Sequence, residues 1–361
     1  MNITGLALPL ITAGLLVALL SCGCGVHSAE DAKPSGPGYW TVSDTAGLLA
    51  ALAEAGPAGG AIVLKPGSYV LEKTVALDNV RLLNIEGSGW STQIVRRGDG
   101  DALVLKDCAF CVIKNLMISG DSSAKSGSGI SFRGNSSSNM IDLCRITGFA
   151  QSGVHYEGNP KTPMSSNTVK DCHFIDNGGD QLYSFNNNDF YITGNQFGAH
   201  GRQGKSAPRT GCVLDHSSAG TYTRNYHWGN KNAFRLGPGA HYDRIENNRF
   251  EESYEAGVII GDPKGDSSFY NILTGNTIHT NSKGETGVHP AVVAYNSRDI
   301  IFCTNQIFSW DTNTYKHKSS LVVVTGCAHW IVKDNTMRNN TGPTLVYDKD
   351  AGHIVSDNVT D

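Results

Sequence analysis

Short apolar runs bounded by Gly, Asn and Ser recur along most of the chain, and each run has the length of a β-strand. A recurring unit places an apolar residue before an Asn and a second apolar residue two positions after it, as in YITGNQF and IVKDNTM. Aligning these units gives one column of Asn residues at intervals of 23 to 30 residues: Asn195, Asn225, Asn248, Asn276, Asn305, Asn335 and Asn358. A repeat of this length predicts a solenoid in which each repeat forms one coil.

A second column, two residues after the first, is apolar except for His227: Ile118, Ile146, Phe174, Phe197, Phe250, Ile278, Ile307 and Met337. We therefore predict an all-β fold, a single-stranded right-handed parallel β-helix of about ten coils whose strands stack at ~4.8 Å. Asn at a repeated bend tolerates left-handed backbone geometry and bonds neighbouring backbone, so the Asn column is predicted to be structural. Cys144 and Cys172 fall in that column on consecutive coils, where either a disulfide or two stacked thiols would fit.

Ser43–Ala55 has a candidate N-cap, a Leu/Ala stripe and Gly56 just beyond it, which predicts a helix near 43–55 that caps the solenoid. Because every solenoid needs its end covered, this helix is expected to close the N-terminal mouth. The remaining chain, residues 39–361, is predicted to form one β-helix domain with this helix.

The N-terminus has the pattern of an export signal. No charge occurs from Leu6 to Leu20, and the following Ser-Cys suits a bacterial lipoprotein processing site. We predict a signal peptide over 1–21, a candidate lipid anchor at Cys22 and a flexible tether over 22–38. The protein is accordingly expected to be exported, either secreted or anchored at the bacterial cell envelope.

Composition narrows the function classes. Charged residues make up 17% and the formal net charge is −4, so the chain offers no basic footprint for nucleic acid. The cysteines beyond the signal region form no paired CxxC motifs, and Cys108-Ala109-Phe110-Cys111 alone is weak evidence for metal or redox chemistry. No cofactor is expected from these motifs, and no metal ligands are assigned.

The cap helix, the strand containing KPGSYVL and the Asn-bearing coils together resemble the pectate-lyase-like β-helix superfamily over essentially the whole mature chain. This superfamily mostly contains enzymes that cleave or epimerise acidic polysaccharides, with some glycosidases and phage tail proteins. The fold alone is a weak guide to the reaction.

A narrower resemblance is carried by NRFEESYEAG, NQIFSWDTNTYKHKSSLVVVTG and TLVYDKDAGHIVSDNV, which are similar to stretches of the inulin fructotransferase family. That family releases cyclic difructose dianhydrides from fructan ends. The resemblance implies a homotrimer with sites between subunits, and a catalytic pair of an Asp before the column residue and a Glu on the next strand. Asp171 matches the first position. Leu182 occupies the second, with Asp180 two residues away, so the chain departs from the family there.

Glycosyl transfer or hydrolysis needs two carboxylates, one to protonate the leaving oxygen and one to activate the attacking group. Asp171 with Asp176, Asp180 or Asp215 would supply them, and His216 beside Asp215 is a further catalytic candidate. The sequence DNGGD is also a good turn, which would explain Asp176 and Asp180 without any function.

Outward-facing columns offer groups to grip a sugar chain. One column contains Arg145, His173, Gln196, Tyr226 and Arg249, a second contains Arg133, Glu157, Ser184 and Asp215, and a third contains His155 and Arg235. The candidate substrate-binding residues are His173, Tyr226, Arg145, Arg235, Arg249 and Glu157. β-Elimination or epimerisation of a uronate would use such a base and cation, and an acid cluster would then hold Ca²⁺. Glu251, Glu252 and Glu255 are predicted to lie in a solvated loop.

The sequence thus predicts an exported carbohydrate-active enzyme that cleaves glycosidic bonds of a poly- or oligosaccharide, with fructotransferase-like intramolecular transfer as the first hypothesis. A uronan lyase or C5-epimerase is the second, based on the Arg, His and Tyr column. A non-catalytic glycan-binding or surface β-helix is the third, because the second carboxylate is missing. The expected partner is a glycan, with no nucleic acid, and with membrane contact only through Cys22.

Overall fold

A computed structural model describes residues 38–200, 209–310, 315–324 and 326–361. The predicted signal peptide, Cys22 and, apart from Gly38, the predicted tether lie outside the described residues. Within those ranges, the structure contains no helix with the length and apolar character needed to span a membrane.

The described chain winds as a right-handed parallel β-helix, which confirms the predicted fold. Each coil contributes one strand in turn to three parallel sheets, which we call sheets A, B and C and which contain 13, 12 and 11 strands. Neighbouring strands pair in parallel with residue-for-residue register, for example Arg145 opposite His173 in sheet B. Because each coil stacks on the one before, equivalent side chains form columns along the solenoid axis.

The strands of each sheet are short. Those of sheet A are Tyr39–Val42, Gly60–Leu64, Leu83–Glu86, Val112–Lys114, Met140–Asp142, Thr168–Lys170, Tyr191–Thr193, Thr221–Thr223, Arg244–Glu246, Ile272–Thr274, Ile301–Cys303, Ile331–Lys333 and Ile354–Ser356. Those of sheet B are Gly67–Leu71, Thr92–Arg96, Met117–Ser119, Arg145–Thr147, His173–Ile175, Gln196–Gly198, Tyr226–Trp228, Arg249–Glu251, Thr277–His279, Gln306–Phe308, Thr336–Arg338 and Val359–Thr360. Those of sheet C are Val75–Asp78, Leu103–Lys106, Ile130–Gly134, Val154–Gly158, Leu182–Phe185, Thr210–Asp215, Asn232–Leu236, Val258–Ile260, Val292–Ala294, Leu321–Val323 and Leu345–Tyr347. Two further strand pairs join Met164–Ser165 to Asn187–Asn188 and Ser268–Phe269 to Ser297–Arg298.

The α-helix spans Thr45–Ala55, two residues later than the start of the predicted segment, and a 3₁₀ turn follows at Gly56–Ala58. Asp44 caps it, since the Gly47 N–H donates to Asp44 Oδ1 at 2.7 Å. The buried face consists of Leu48, Ala51, Leu52 and Ala55, and it packs on the first strands of sheets A and B. The helix therefore covers apolar side chains that the first coil would otherwise expose.

The Asn column forms a buried hydrogen-bonded ladder. Asn225 Oδ1 accepts the backbone N–H of Asn195 at 3.0 Å and also its side-chain amide at 3.0 Å. The Asn225 amide in turn donates to Asn248 Oδ1 and to the Ile192 carbonyl. The same pattern continues to Asn358. Each rung thus satisfies backbone groups that the tight bend would leave unpaired.

The earlier rungs of this ladder contain sulfur. Cys144 and Cys172 are both free thiols, so the alternative of two stacked thiols is the one found. The Cys144 N–H points at Cys172 Sγ at 3.4 Å, and the Cys172 N–H donates to Asn195 Oδ1 at 2.9 Å. The ladder therefore runs without a break from thiols into amides.

The bend between sheets A and B has the same length in every coil from Asn115 onward: one residue with a positive φ, followed by one ladder residue. The segment that joins sheet B to sheet C instead ranges from three residues at 229–231 to twelve at 280–291. The segment from sheet C to sheet A also varies, from four residues at 79–82 to eleven at 261–271. The solenoid therefore has one edge of constant length, between sheets A and B, and two of variable length, of which we call the one between sheets B and C the B–C edge.

Candidate functional site

A cleft of about 300 Å³ lies on the outer surface at the B–C edge. Three consecutive coils supply its lining residues, which are Ala150, Gln151, Ser152, His155, Gly178, Gly179, Asp180, Tyr183 and Arg209. The cleft therefore collects titratable side chains from two adjacent strands of sheet C, His155 and Tyr183, and from the B–C edge, Asp180 and Arg209, a common arrangement for a binding site.

Asp180 is the one acidic residue among the described residues that line the cleft. It precedes the strand Leu182–Phe185 by two residues. Burial raises the pKa of its carboxyl, whereas a hydrogen bond with Thr210 and the charges of Arg209 and Arg235 act in the opposite direction. This carboxyl therefore holds its proton at a higher pH than an ordinary Asp does.

His155 and Tyr183 lie opposite each other on adjacent strands of sheet C, with ring centroids 5.0 Å apart. Burial lowers the pKa of His155, although the charges of Glu157 and Asp101 oppose this shift. Its ring is therefore neutral at neutral pH. Burial also raises the pKa of Tyr183, and the nearby negative charge of Asp215 adds to the effect. A neutral imidazole and a protonated phenol thus lie side by side at the cleft.

Arg235 belongs to the same column as His155, as the sequence predicted, because the register runs from His155 through Tyr183 and Val213 to Arg235. Its guanidinium binds Asp262 at 2.6 Å. The predicted column is therefore present, and Tyr183 is the member between the two residues that the sequence had singled out.

Asp215 and His216 are held together at the far end of the neighbouring strand. Tyr183 donates to Asp215 Oδ2 at 3.2 Å, and Asp215 Oδ1 lies 2.7 Å from His216 Nδ1. The other ring nitrogen of His216 lies 3.3 Å from Asp266. These groups form one hydrogen-bonded series that begins at the cleft, so Asp215 and His216 contact the site through Tyr183.

Asp180 and Asp215, each predicted as a partner for Asp171, are far apart along neighbouring strands of sheet C. Asp180 aligns with Thr210 one strand over, because Leu182 pairs with Cys212. Asp215 lies five residues further along that strand, which at strand rise corresponds to roughly 16 Å between Cα positions. Glycosidase carboxylates are about 5–10 Å apart, so these two acids are too widely spaced for that chemistry.

Asp171 lies at the bend between sheets A and B, on the other side of strand His173–Ile175 from the cleft. It is exposed, with φ of 52°, and occupies the positive-φ position of the constant bend. Asp and Asn tolerate that conformation better than most residues, so the geometry of the bend alone explains why an Asp occupies position 171. Leu182, at the position of the second family carboxylate, is buried in the core.

Asp176 serves a turn. Its φ is 57°, and its Oδ1 accepts the backbone N–H of His200 from the next coil at 2.7 Å. It therefore links two successive segments of the B–C edge, and it is absent from the residues that line the cleft.

The predicted column on sheet B is in register: Arg145, His173, Gln196, Tyr226 and Arg249 stack on successive coils. The column divides into two groups. Arg145 lies over the Trp90 ring at 5.3 Å, and His173 meets the same ring edge-on at 4.9 Å. At the other end, Tyr226 and Arg249 both bind Glu251, so these two candidates are already occupied by a partner within the chain.

The predicted column of Arg133, Glu157, Ser184 and Asp215 is wrong at Ser184. Glu157 pairs with Arg133 and Phe185, whereas Ser184 aligns with Tyr156 and is buried inside the solenoid. The predicted alignment was one residue out, which moves a side chain to the opposite face of a strand. The outward residues of LYSF are Tyr183 and Phe185, and the strict alternation of that strand was the signal that would have identified Tyr183.

Glu251 is also misassigned by the sequence. Instead of a solvated loop, it ends the sheet B strand Arg249–Glu251 and its side chain is 7% exposed. His279 Nε2 lies 2.6 Å from Glu251 Oε2. These contacts lower the pKa of Glu251 against the effect of burial, so the carboxylate stays charged in the interior of this network.

A family model described as periplasmic copper-binding protein (NosD) matches residues 84–297. No curated protein matches the sequence.

Solved structures with the same fold include three of different kinds. The Azotobacter vinelandii mannuronan C-5 epimerase AlgE6 A-module has a TM-score of 0.60 and 14% identity, over 88% of this chain and 95% of that one. The lid-less DFA-IIIase of Arthrobacter chlorophenolicus A6 has a TM-score of 0.63 and 13% identity, over 90% and 99%. The Dettilon tailspike protein has a TM-score of 0.66 and 12% identity, over 86% and 64%. At these identities the likeness shows the fold alone.

Proposed function

The chain belongs to the NosD family, and we propose that it acts on an acidic poly- or oligosaccharide at the cleft formed by His155, Asp180, Tyr183 and Arg209. The names of several structural neighbours, an epimerase of mannuronan among them, support a glycan as the substrate. The observation that carries the proposal is the pairing of a neutral imidazole with a protonated phenol beside cationic side chains.

Removal of the proton α to a uronate carboxylate suits these groups. Arg209, with Arg235 nearby, would offset the charge of the substrate carboxylate. The neutral His155 would take the C5 proton as general base. In β-elimination, Tyr183 would protonate the leaving O4 as the C4–O4 bond breaks and the C4=C5 bond forms. In epimerisation, Tyr183 would instead return a proton to the opposite face of C5.

The first hypothesis from the sequence, fructotransferase-like transfer, has less support. It requires two neighbouring carboxylates, whereas Asp171 lies on the constant A–B bend and Asp180 on the B–C edge. The resemblance on which it rests also implied a homotrimer, which stays a prediction. The chemistry of His155 and Tyr183 therefore favours the second hypothesis, a uronan lyase or C5-epimerase.

Copper, named in the family's description, does not fit the described side chains. Copper sites gather His, Cys or Met ligands, but within the described ranges no three His, Cys, Asp or Glu residues are grouped to hold a metal ion. Six of the seven cysteines described are buried. The same finding gives no support to an acid cluster for Ca²⁺, so the proposed chemistry uses side chains alone.

Export of the protein is a further part of the proposal. The family is described as periplasmic, and the sequence of residues 1–21 has the pattern of a signal peptide. A polymeric glycan substrate suits such a location. Lipid anchoring at Cys22 stays a prediction, which mass spectrometry of the mature N-terminus would test.

Incubation with polymannuronate, polygalacturonate and inulin tests the proposed reaction. Ultraviolet absorbance from the conjugated C4=C5 bond would report elimination, and deuterium incorporated at C5 from heavy water would report epimerisation. A dianhydride released from inulin would replace the proposal with the fructotransferase hypothesis. No turnover on this panel and on neutral glycans would favour the third hypothesis, a non-catalytic glycan-binding β-helix.

A further inference from the structure

A second concave surface lies far along the solenoid from the first. It is a cleft of about 300 Å³ lined by Gln306, Phe308, Ser309, Trp310, Thr336, Arg338 and Asn339. Trp310 lies two residues after the sheet B strand Gln306–Phe308 and is 52% exposed. An indole that is half exposed at the rim of a polar cleft has an apolar surface available to a ligand.

The indole is supported by an ordered aromatic base. Phe308 and His279 stack on each other with centroids 5.2 Å apart and planes 8° from parallel. Trp310 stands almost perpendicular to both, at 5.6 Å from Phe308 and 5.7 Å from His279. Edge-to-face contacts of this kind fix the orientation of an aromatic ring.

The base is fixed in turn by a charged network. His279 binds Glu251 through Nε2 and Thr280 through Nδ1, at 2.6 and 3.0 Å. Glu251 also accepts hydrogen bonds from Tyr226 and Arg249. Since both His279 and Glu251 are almost fully buried, the support beneath Trp310 is held before any ligand arrives.

The floor of the cleft supplies polar groups. Gln306 and Arg338 lie on adjacent strands of sheet B, two residues apart in register. In the part of the chain that the structure describes, no carboxylate is within ion-pair distance of the Arg338 guanidinium. A planar cation and an amide are therefore available to bind hydroxyl or carboxylate oxygens.

We propose that the Trp310 cleft is a second, non-catalytic binding site for a pyranose ring of a glycan chain. A pyranose has one face of C–H groups, which packs on an indole, and a rim of oxygens, which Arg338 and Gln306 bind. The site is distinct from the cleft at Asp180, although the choice of an acidic chain as ligand rests on the proposed function.

The two clefts share the B–C edge. Asp180 follows the strand His173–Ile175, and Trp310 follows the strand Gln306–Phe308, five steps further along sheet B. At ~4.8 Å per coil the separation along the axis is about 24 Å. The first cleft uses side chains of sheet C and the second uses side chains of sheet B, on either side of this edge. A single extended oligosaccharide of several residues that follows the edge would reach both sites, and the second site would hold the chain while the first acts on it.

Titration with oligosaccharides tests this site independently of turnover. Oligomannuronates, oligogalacturonates and cello-oligosaccharides of two and eight residues are titrated by calorimetry and by Trp fluorescence. The proteins compared are the unmodified chain, Trp310→Ala, Arg338→Ala and a control, Tyr191→Ala, which removes another exposed ring on sheet A. Thermal unfolding by circular dichroism checks that each variant is folded.

We expect Trp310→Ala to weaken binding of at least one oligosaccharide about tenfold or more, and Tyr191→Ala to leave it unchanged. Trp310→Phe should restore part of the loss. Equal affinity of the folded Trp310→Ala variant and the unmodified chain for every ligand overturns the proposal, as does binding of none of them. Trp310-dependent binding without any turnover would uphold this site and reject the proposed reaction, so the two failures are distinguishable.

Discussion

The Tyr183 hydroxyl donates a 3.2 Å hydrogen bond to Asp215 on the adjacent coil of sheet C. Asp215 in turn contacts His216, whose far ring nitrogen faces Asp266, a side chain that is 81% exposed. This series joins the phenol in the cleft to a carboxylate in water. Tyr183 therefore has a fixed orientation and a route for proton exchange with the solvent.

Loss of either group that handles a proton should abolish most activity. We expect Tyr183→Phe and His155→Gln each to lower kcat on the uronan that is turned over by about 100-fold or more, because each removes one general acid or base. The measurement is the initial rate at saturating polymer. Tyr191→Phe, on sheet A, is the matched control and should keep its rate. Normal kcat in folded Tyr183→Phe would reject its assigned role.

The negative charge of Asp215 should affect the pKa of the Tyr183 phenol. Because that charge raises the pKa of Tyr183, Asp215→Asn should lower it and move the alkaline limb of the kcat/KM profile to lower pH. The pKa is measured by ultraviolet titration of tyrosinate, with Tyr183→Phe identifying the signal. An unmoved phenol pKa in Asp215→Asn would show that the carboxylate only packs beside the ring.

On the acid side, activity should begin to fall at a pH below the usual pKa of histidine. Burial lowers the pKa of His155, so this base stays neutral below about pH 6.5 and activity persists into mildly acidic solution. The charge of Glu157 opposes that shift, so Glu157→Gln should move the limb further toward acid. The comparison of kcat/KM profiles between the two proteins is the test. A limb displaced toward alkaline pH in Glu157→Gln contradicts the assignment.

Stability should fall in acid because of His227, which occupies a place in the apolar ladder between Phe197 and Phe250. Burial lowers its pKa to about 3. In the unfolded chain this imidazole binds a proton near pH 6.5, whereas in the folded chain it stays neutral until about pH 3. The free energy of unfolding therefore decreases as pH falls from about 6.5 toward 3. The loss from pH 7 to pH 5 is about 2 kcal/mol for this residue.

Denaturant unfolding between pH 4.5 and 8 measures that slope, and His227→Phe should flatten it. Asp243 acts in the opposite sense, since burial raises its pKa to about 7 and its stabilisation is lost as pH rises through that value. Asp243→Asn, which copies Asn271 on the next coil, should therefore steepen the loss in acid. A slope that His227→Phe leaves unaltered would remove His227 as its source.

The ladder amides should contribute more to the free energy of unfolding in the middle of the solenoid than at its end. Asn248→Ala removes the partners of the buried Asn225 N–H and the Tyr222 carbonyl, and we expect it to cost about 2–4 kcal/mol of unfolding free energy. Asn358→Ala, at the last and partly buried rung, is the matched control and should cost less. Equal losses at the two positions would mean that burial does not govern the ladder's contribution.

The columns of the fold could be predicted from the sequence because the constant A–B bend repeats one residue type in one place. Asn195 and its successors mark the register directly, and Phe174 and its successors follow two residues later. The site was harder to predict because it lies where the chain has no fixed length. A one-residue error in the neighbouring strand put Ser184 in the place of Phe185 and so hid the outward direction of Tyr183. Glu251 looked like part of a loop because the ring that covers it, His279, belongs to another coil.

The A–B bend and the B–C edge have different roles: the first carries the Asn ladder that stabilises the fold, and the second carries both proposed binding clefts. Amide rungs and the two-residue bend leave no room for an insertion, whereas the B–C edge already tolerates segments of three to twelve residues between strands of the same register. Residues can be added to or removed from that edge at small entropic expense without disturbing a rung. Homologues of this chain can therefore acquire a different ligand through insertions and deletions at the B–C edge, while the A–B bend and its Asn ladder stay the same.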